Sequence, residues 1–585
     1  MAFDGIFLAA IKQELSNLIG NRVDRIFQPE KETLILHLRK GRDTKKLLLC
    51  SLADQARVHL TTANFKNPSN PPLFCMVLRK HLEGSILADI VQPGLERILK
   101  LHFDTTDELG RPSKRILIIE IMSKHSNIIL INTEGMIIDA IRRYTHAVSR
   151  HREVLPGKSY ISPPAQKKAN ICDLDEESLT SLLFSGDWDT PIRRLLVEKL
   201  EGIGPETARE VIYQCGLSEN MTLEECGEYE FSRIYQVLNK IRNTTIPNNW
   251  HPVVIKNTNE RPLAFAAFDL KQYDQLPMIK FSTPSEACDN FYSLRRHQQI
   301  LEGLRRSLEH TLDRELKRCY KKENIQAETV DKAKGAEKYR LKGELITANI
   351  YRLTKGEKIL RATNFYDESG KTITIELDPS LTPSENAQLY FNRYNKVKKA
   401  AKLAQEQLEQ TRAEISYLES IAQALNIANT MEDLSEIQQE LRQAGYIPVE
   451  KENKPGKKAK KASQTSKPLE FVSPDNFKIL VGKNNRQNDW LTLKHANSND
   501  IWLHTKDIPG SHVIIKTENR EVPATTLEMA ARLAAHYSKA KQSSQVPVDY
   551  TSVKHVRKPN GTKPGMVIYD NQNTVYVKPL DIEEN

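Results

Sequence analysis

Tyr394, Val397, Ala401, Ala404, Leu408, Thr411, Ile415, Leu418, Ala422 and Leu425 recur alternately three and four residues apart. That is heptad spacing, and it lays one apolar seam along a helix too long to curl into a compact core. At about 1.5 Å per residue, a helix over 384–430 reaches roughly 70 Å. Such a seam needs cover. Upstream, Ile300, Leu304, Leu308, Leu312 and Leu316 form a second seam suited to pack against it antiparallel. Between the two, Arg361-Ala-Thr-Asn-Phe-Tyr-Asp367 and Lys371-Thr-Ile-Thr-Ile-Glu-Leu377 read as short strands around a Glu-Ser-Gly turn. A dimerisation coil is the other use of such a seam; two complementary segments flanking a strand pair favour an intramolecular arm.

The 585-residue chain is too long for one core, and the arm divides it. Residues 1–165 read as an α+β domain, opening with an amphipathic helix that carries Phe3, Phe7, Ile11, Leu15 and Leu18 on one face. A helical region follows over 166–250, then a stretch at 251–284 that either returns to the first domain or connects onward. The arm spans 285–445. Residues 446–468 include Lys454-Pro-Gly-Lys-Lys-Ala-Lys-Lys461, a basic linker unable to bury a core. A compact α+β module fills 469–585. The fold class is therefore α+β and multidomain. A net charge of +10 admits an anionic partner without naming one. Seven scattered cysteines with no C-x-x-C pair argue against a zinc site or a disulfide framework. No apolar run approaches the roughly 20 residues that span a bilayer. Met1-Ala-Phe-Asp4 lacks the basic start of a signal peptide, so a cytoplasmic protein is expected.

Two segments carry candidate chemistry. Gly202-Ile-Gly204-Pro205 opening a helix is a helix-hairpin-helix signature. Backbone N–H groups there either hold a phosphate without reading sequence or serve a scaffold. Near the C-terminus, Asp500-Ile-Trp-Leu-His504-Thr-Lys506-Asp-Ile-Pro-Gly510-Ser-His512 joins a core tryptophan to two histidines, a lysine and a Pro-Gly turn. The turn is expected to gather Lys506, Ser511 and His512 at a strand end with N–H groups open to an anion; the bland reading is a satisfied hairpin. No phosphate-cradling glycine loop, nucleophile elbow or metal-ligand spacing is present, so neither enzyme chemistry nor a cofactor is expected.

The blocks Phe3-Asp4-Gly, Leu78-Arg79-Lys80-His81-Leu82 and Met122-Ser-Lys-His125-Ser-Asn127 resemble the N-terminal domain of the NFACT family. Val481-Gly-Lys483-Asn484-Asn-Arg486, Asp500-Ile-Trp-Leu-His504, Gly510-Ser-His512, Val553-Lys-His-Val-Arg557 and Lys563-Pro-Gly-Met-Val-Ile-Tyr569 resemble its RNA-binding module. The helical hairpin, arm and basic linker fall in the family's order. The resemblance implies a ribosome quality control factor, not an enzyme. It would bind a large (50S) subunit holding peptidyl-tRNA and recruit alanyl-tRNA, so that the ribosome adds an alanine tail without mRNA. It also implies contact with 23S rRNA, and with a stalk-base protein through the arm. Asp4 and an Asp-Arg pair serve tailing in this family; here the pair is Glu96-Arg97, longer by one methylene. Arginine grips phosphate bidentately and a carboxylate accepts base or ribose donors, whereas a plain surface ion pair contributes about 0–1 kcal/mol. Arg79, Lys80 and His81 form a phosphate-binding stripe or a solvated face. His125 contacts RNA or fills a core. Lys483, Arg486, Lys506, His512 and Arg557 are the candidate rRNA contacts.

Three other functions compete. A formamidopyrimidine-type glycosylase shares the plan of an α+β domain before a helical hairpin, but needs a proline after the initiator methionine where this chain has Ala2. A fibronectin-binding surface protein needs an export signal. An RNA-binding 50S chaperone without tailing shares the charge but is indifferent to Glu96 and Arg97.

Overall fold

The computed structural model describes residues 3–581, apart from 108, 148, 150, 165, 246–248, 368–369 and 449–465. Most of the basic linker expected over 446–468 lies outside the described residues. The chain divides into two compact units at residues 299 and 300.

The first unit is built on nine strands: β1 (Arg22–Glu30), β2 (Thr33–Lys40), β3 (Asp43–Cys50), β4 (Arg57–Leu60), β5 (Ile86–Val91), β6 (Ile98–Thr106), β7 (Pro112–Glu120), β8 (Asn127–Asn132) and β9 (Ile137–Ala140). Their order is β4-β3-β2-β1-β5-β6-β7-β8-β9. Each half is a meander of hairpins, the short connection that antiparallel pairing allows, and the halves meet at Arg22 opposite Ile86. Alternation sorts the faces: Leu34, Leu36 and Leu38 point into the core while His37 and Arg39 do not. Helices α1 (Gly5–Leu15) and α2 (Leu73–Leu82) supply buried Phe7, Ile11, Leu78 and Leu82 to that core.

Short helices α3 (Glu176–Phe184), α4 (Ile192–Lys199), α5 (Pro205–Gln214) and α6 (Glu228–Thr245) follow. The segment at 251–284 then returns to the first core. It forms a three-stranded sheet from Val253–Lys256, Pro262–Ala266 and Met278–Lys280. Its Phe265 lies edge-on to Phe7 at 4.7 Å.

Helix α7 (Pro284–Ala333) runs on into the second unit, where α8 (Glu337–Ala348), α9 (Pro383–Ile427) and α10 (Met431–Gln443) follow. Within that unit α7 and α9 are antiparallel. Arg305 Nη1 donates to Leu425 O at 2.9 Å, whereas Glu323, further along α7, pairs with Arg412, further back on α9, at 2.9 Å. Leu308, Leu312, Ile415 and Leu418 are buried between them. Strands Ile359–Thr363 and Thr372–Glu376 pair with each other and bury Leu360 and Ile375 against Leu345 and Tyr390. In the C-terminal module, six strands lie in the order 469–472, 478–481, 513–516, 501–505, 546–552 and 573–577. Helix α12 (Ala524–His536) packs on one face, and Trp502, wholly buried, anchors the other with Leu491 and Ile514. Helix α11 (Asn485–Trp490) completes the module. Among the described residues no helix is long and apolar enough to cross a membrane.

Candidate nucleic-acid interface

Asp4 caps two helices. Its Oδ1 accepts the Phe7 N–H at 2.9 Å and closes the first turn of α1. Its Oδ2 accepts the Gly204 N–H at 3.2 Å and the Thr207 hydroxyl at 2.5 Å, holding the start of α5. Gly5 and Ile6 donate their N–H groups to the Gly202 carbonyl at 3.1 and 3.3 Å. Only glycine fits this junction. Gly202 has φ +82°, and a Cβ on Gly5 would sit 1.8 Å from the Leu95 carbonyl oxygen. The Gly-Ile-Gly-Pro turn therefore admits the chain's N-terminal residues at close range. This corrects the expectation of an open phosphate donor at Gly204. The Gly204 N–H is already bound, and Gly202 contributes its carbonyl.

Beside the junction lies a cavity of about 280 Å³ lined by Asp4, Glu96, Arg97, Lys168, Glu201 and the hairpin residues. Burial raises the Asp4 carboxyl above its ordinary value, against its three hydrogen bonds and the Arg97 charge. Burial lowers Arg97, with Asp4 opposing. Glu96 is raised by burial and by the like charge of Glu201, with Lys100 opposing. Lys168 is lowered by burial and by Arg97, and its ammonium donates to the Val197 carbonyl at 2.7 Å. Three carboxylates (Asp4, Glu96, Glu201) and three cations (Arg97, Lys167, Lys168) thus line a partly desolvated wall, where charged hydrogen bonds are stronger than in water. The lining offers no hydroxyl, thiol or imidazole. Its chemistry is that of binding a polar ligand with both donors and acceptors.

Asp4, Glu96, Arg97, Gly202 and Gly204, far apart in sequence, meet here. No motif in the sequence marks Lys168 or Glu201. Lys168 sits in a polar stretch without periodicity, and is placed by the parallel pairing of Ala169 with Leu200. Arg79, Lys80 and His125 do not line the cavity. Arg79 donates to the Ile26 carbonyl at 2.8 Å and lies over the Phe27 ring, Lys80 is exposed on α2, and His125 is exposed in a one-turn helix.

The C-terminal candidates separate. Lys483 pairs with Asp433 of α10 at 3.3 Å, and Arg486 donates to Gln439 at 2.7 Å and to Gln443. Both cations fasten the module to α10. His512 is buried against Thr492, whose hydroxyl lies 2.7 Å from Nδ1, and burial holds the ring well below its ordinary pKa. An imidazole enclosed in this way does not reach a phosphate at the surface, which corrects that expectation. Lys506 and Arg557 remain exposed, Arg557 with Asp570 at 3.7 Å. The turn at 507–510 also differs from expectation. The left-handed residue is Asp507, φ +55°, and Gly510 is needed for contact, since a Cβ there would lie 2.8 Å from Thr505 Oγ1. The N–H groups of Lys506, Ser511 and His512 are bound to Pro547 O, Tyr537 O and Asn488 Oδ1, so none of these three is open to an anion.

A nine-stranded antiparallel domain whose N-terminus is clamped by a glycine hairpin, followed by a helical arm and a separate α+β module, defines the class. Residues 4–461 match the NFACT N-terminal and middle domains, and residues 467–571 match the NFACT protein RNA binding domain; the chain belongs to the NFACT family. It is 39% identical to the Rqc2 homolog RqcH of Bacillus subtilis (strain 168) over 582 residues, 99% of this chain and 98% of that one. It is 26% identical over 380 residues to the human ribosome quality control complex subunit NEMF, covering 62% of this chain and 34% of that protein. The solved N-terminal part of the fibronectin/fibrinogen-binding protein from Streptococcus suis is 29% identical, covering 50% of this chain and 99% of that one, with a TM-score of 0.41.

Proposed function

We propose that this protein is a cytoplasmic ribosome quality control factor that binds stalled 50S subunits carrying peptidyl-tRNA. There it recruits alanyl-tRNA, so that the nascent chain receives a C-terminal alanine tail without mRNA. The observation that carries this reading is the convergence of Asp4, Glu96 and Arg97 on one desolvated cavity. It occurs in a chain matching RqcH from end to end. Arg97 offers a planar cation to phosphate or to a base edge, and Glu96 and Glu201 offer acceptors to base or ribose donors. Asp4 acts by positioning, because its oxygens are already engaged by both helices. The protein delivers tRNA and the ribosome performs the peptidyl transfer, so no catalytic residue is assigned. Lys506 and Arg557 are the surface cations offered to 23S rRNA, and the α7–α9 arm is the element offered to a stalk-base protein.

The test is affinity purification from cells with sequencing of the bound RNA, for wild type, Glu96→Ala and Arg97→Ala. Recovery of 50S rRNA with all three, but of one tRNA family only with wild type, is the expected outcome. Unchanged tRNA recovery in both variants would reduce Glu96 and Arg97 to ordinary surface and leave a 50S-binding chaperone. Loss of 50S rRNA from wild type itself would remove the ribosomal reading.

A further inference from the structure

The register of β1, β2 and β3 places basic side chains directly opposite one another. Arg25 faces His37, which in turn faces Lys46, and Arg22 faces Arg39. Like charges at directly opposed positions destabilise a sheet, so the Arg22–Arg39 pair is a cost to folding rather than a support. The residues share the outer face, since Leu34, Leu36 and Leu38 point into the core. That face is covered toward Ile35 and Leu48, both buried, and open toward the β2–β3 turn, where Arg22, Arg25, Arg39, Lys40 and Arg42 are exposed. The nearby carboxylates are few. Asp43 is taken by Lys45 at 3.5 Å, and Asp24, the extra residue of the bulge beside Arg25, acts on His37 by its charge. Among the described residues, none of these five exposed cations, nor Lys46, forms an ion pair. Burial first, then the neighbouring Lys46 and Arg25, hold His37 below its ordinary value against Asp24.

We propose that this exposed half of the β1–β3 face, together with the β2–β3 turn, binds the sugar-phosphate backbone of RNA. The inference goes beyond the reading above, because the surface shares no residue with the cavity and needs no tRNA there. With strands about 4.8 Å apart and alternate residues about 6.7 Å apart, two cation rows cover a footprint of roughly 10 by 7 Å. That suits a few consecutive phosphates held by charge, a contact that positions a nucleic acid without reading its sequence. A membrane surface fits less well, because the run Arg39-Lys-Gly-Arg-Asp-Thr-Lys-Lys46 carries no apolar side chain to insert. An acidic strand finds no free edge, since β1, β2 and β3 are each paired on both sides.

The full chain is compared with R25E/R39E/R42E and with the matched R25K/R39K/R42K protein. Binding to a short RNA duplex of arbitrary sequence is followed by fluorescence anisotropy across a salt series. The charge-reversed protein is expected to bind at least about tenfold more weakly, with the slope of log K against log salt shallower by about 0.7–0.9 per lost phosphate contact. The lysine protein should stay near wild type, because phosphate needs the charge and not the fork. K40A/R42A, confined to the exposed turn, repeats the test should the triple variant misfold. Unchanged affinity and slope in folded variants would overturn the proposal. So would intact duplex binding with a loss only on phosphatidylserine vesicles, which would mark a lipid surface. Arg97→Ala measured alongside keeps the two readings apart: tRNA recovery tests the cavity, duplex binding tests the sheet.

Discussion

Asp500 shows what a single carboxylate contributes when its partners are fixed. Burial pushes its pKa up, but the Lys516 ammonium at 2.5 Å and the N–H groups of Asn497 and Thr517 outweigh that and hold it below its ordinary 3.8. The folded state therefore takes up this proton less readily than the unfolded chain. Its stabilisation is fully present above the ordinary value and is lost as pH falls through the folded one. Asp500→Ala is expected to lower stability in urea at neutral pH by about 1.5–3 kcal/mol, the range for hydrogen bonds to a charged group. It should also flatten the acid limb below about pH 4. A variant with the wild-type acid limb would place the titration elsewhere. At this scale Asp4 was legible only as a residue to watch. That it caps α5 as well as α1 follows from Gly204 lying 200 positions away in sequence.

Among helices, the heptad seam was readable and its burial was not uniform. Leu408, Thr411, Ile415, Leu418 and Leu425 are buried, yet so are Ile421 and Ala424, which fall outside the repeat. The extra burial comes from α10 and α11 packing on a second face of α9. Asn485 at the start of α11 donates to Ser420 and to the Glu440 carboxylate at 2.8 and 3.0 Å, and the Tyr417 hydroxyl donates to Glu440 at 3.0 Å. Burial raises the Glu440 carboxyl, and the Asn485 and Tyr417 bonds pull it back. Asn485→Leu removes a donor from an enclosed carboxylate, at a cost of about 1–3 kcal/mol. Amide exchange in α10 should quicken by tenfold or more, with the module's own sheet unchanged. Equal loss throughout the sheet would mean the module itself had unfolded. Lys483 and Arg486 belong to this fastening, which no spacing in the sequence could reveal because both partners lie on another helix.

For the molecule as a whole, the proposed ribosome contact has an ionic signature. Lys506→Glu/Arg557→Glu should weaken co-sedimentation with 50S subunits and make the salt slope shallower by about 0.7–0.9 for each phosphate relinquished. Retention at every salt concentration equal to wild type would assign rRNA contact to other cations. The family's extent along the chain was legible, because its motif blocks are local strings of residues. The five-residue meeting at the cavity was not, because Asp4, Glu96, Arg97, Gly202 and Gly204 come from three separate stretches of sequence.

Taken by itself, the sequence determined the features that depend on near neighbours. A period of three and four makes a long helix, and glycine and proline make a turn. Only the tertiary structure decided which polar groups are already satisfied. It bound the Gly204 N–H to Asp4, enclosed His512, paired Lys483 with Asp433 and, among the described residues, left Arg22, Arg25 and Arg39 of the first two strands without an ion pair. The physical reason is that a hydrogen bond or a desolvation cost is a property of two groups brought together in space. Sequence spacing records only one of them.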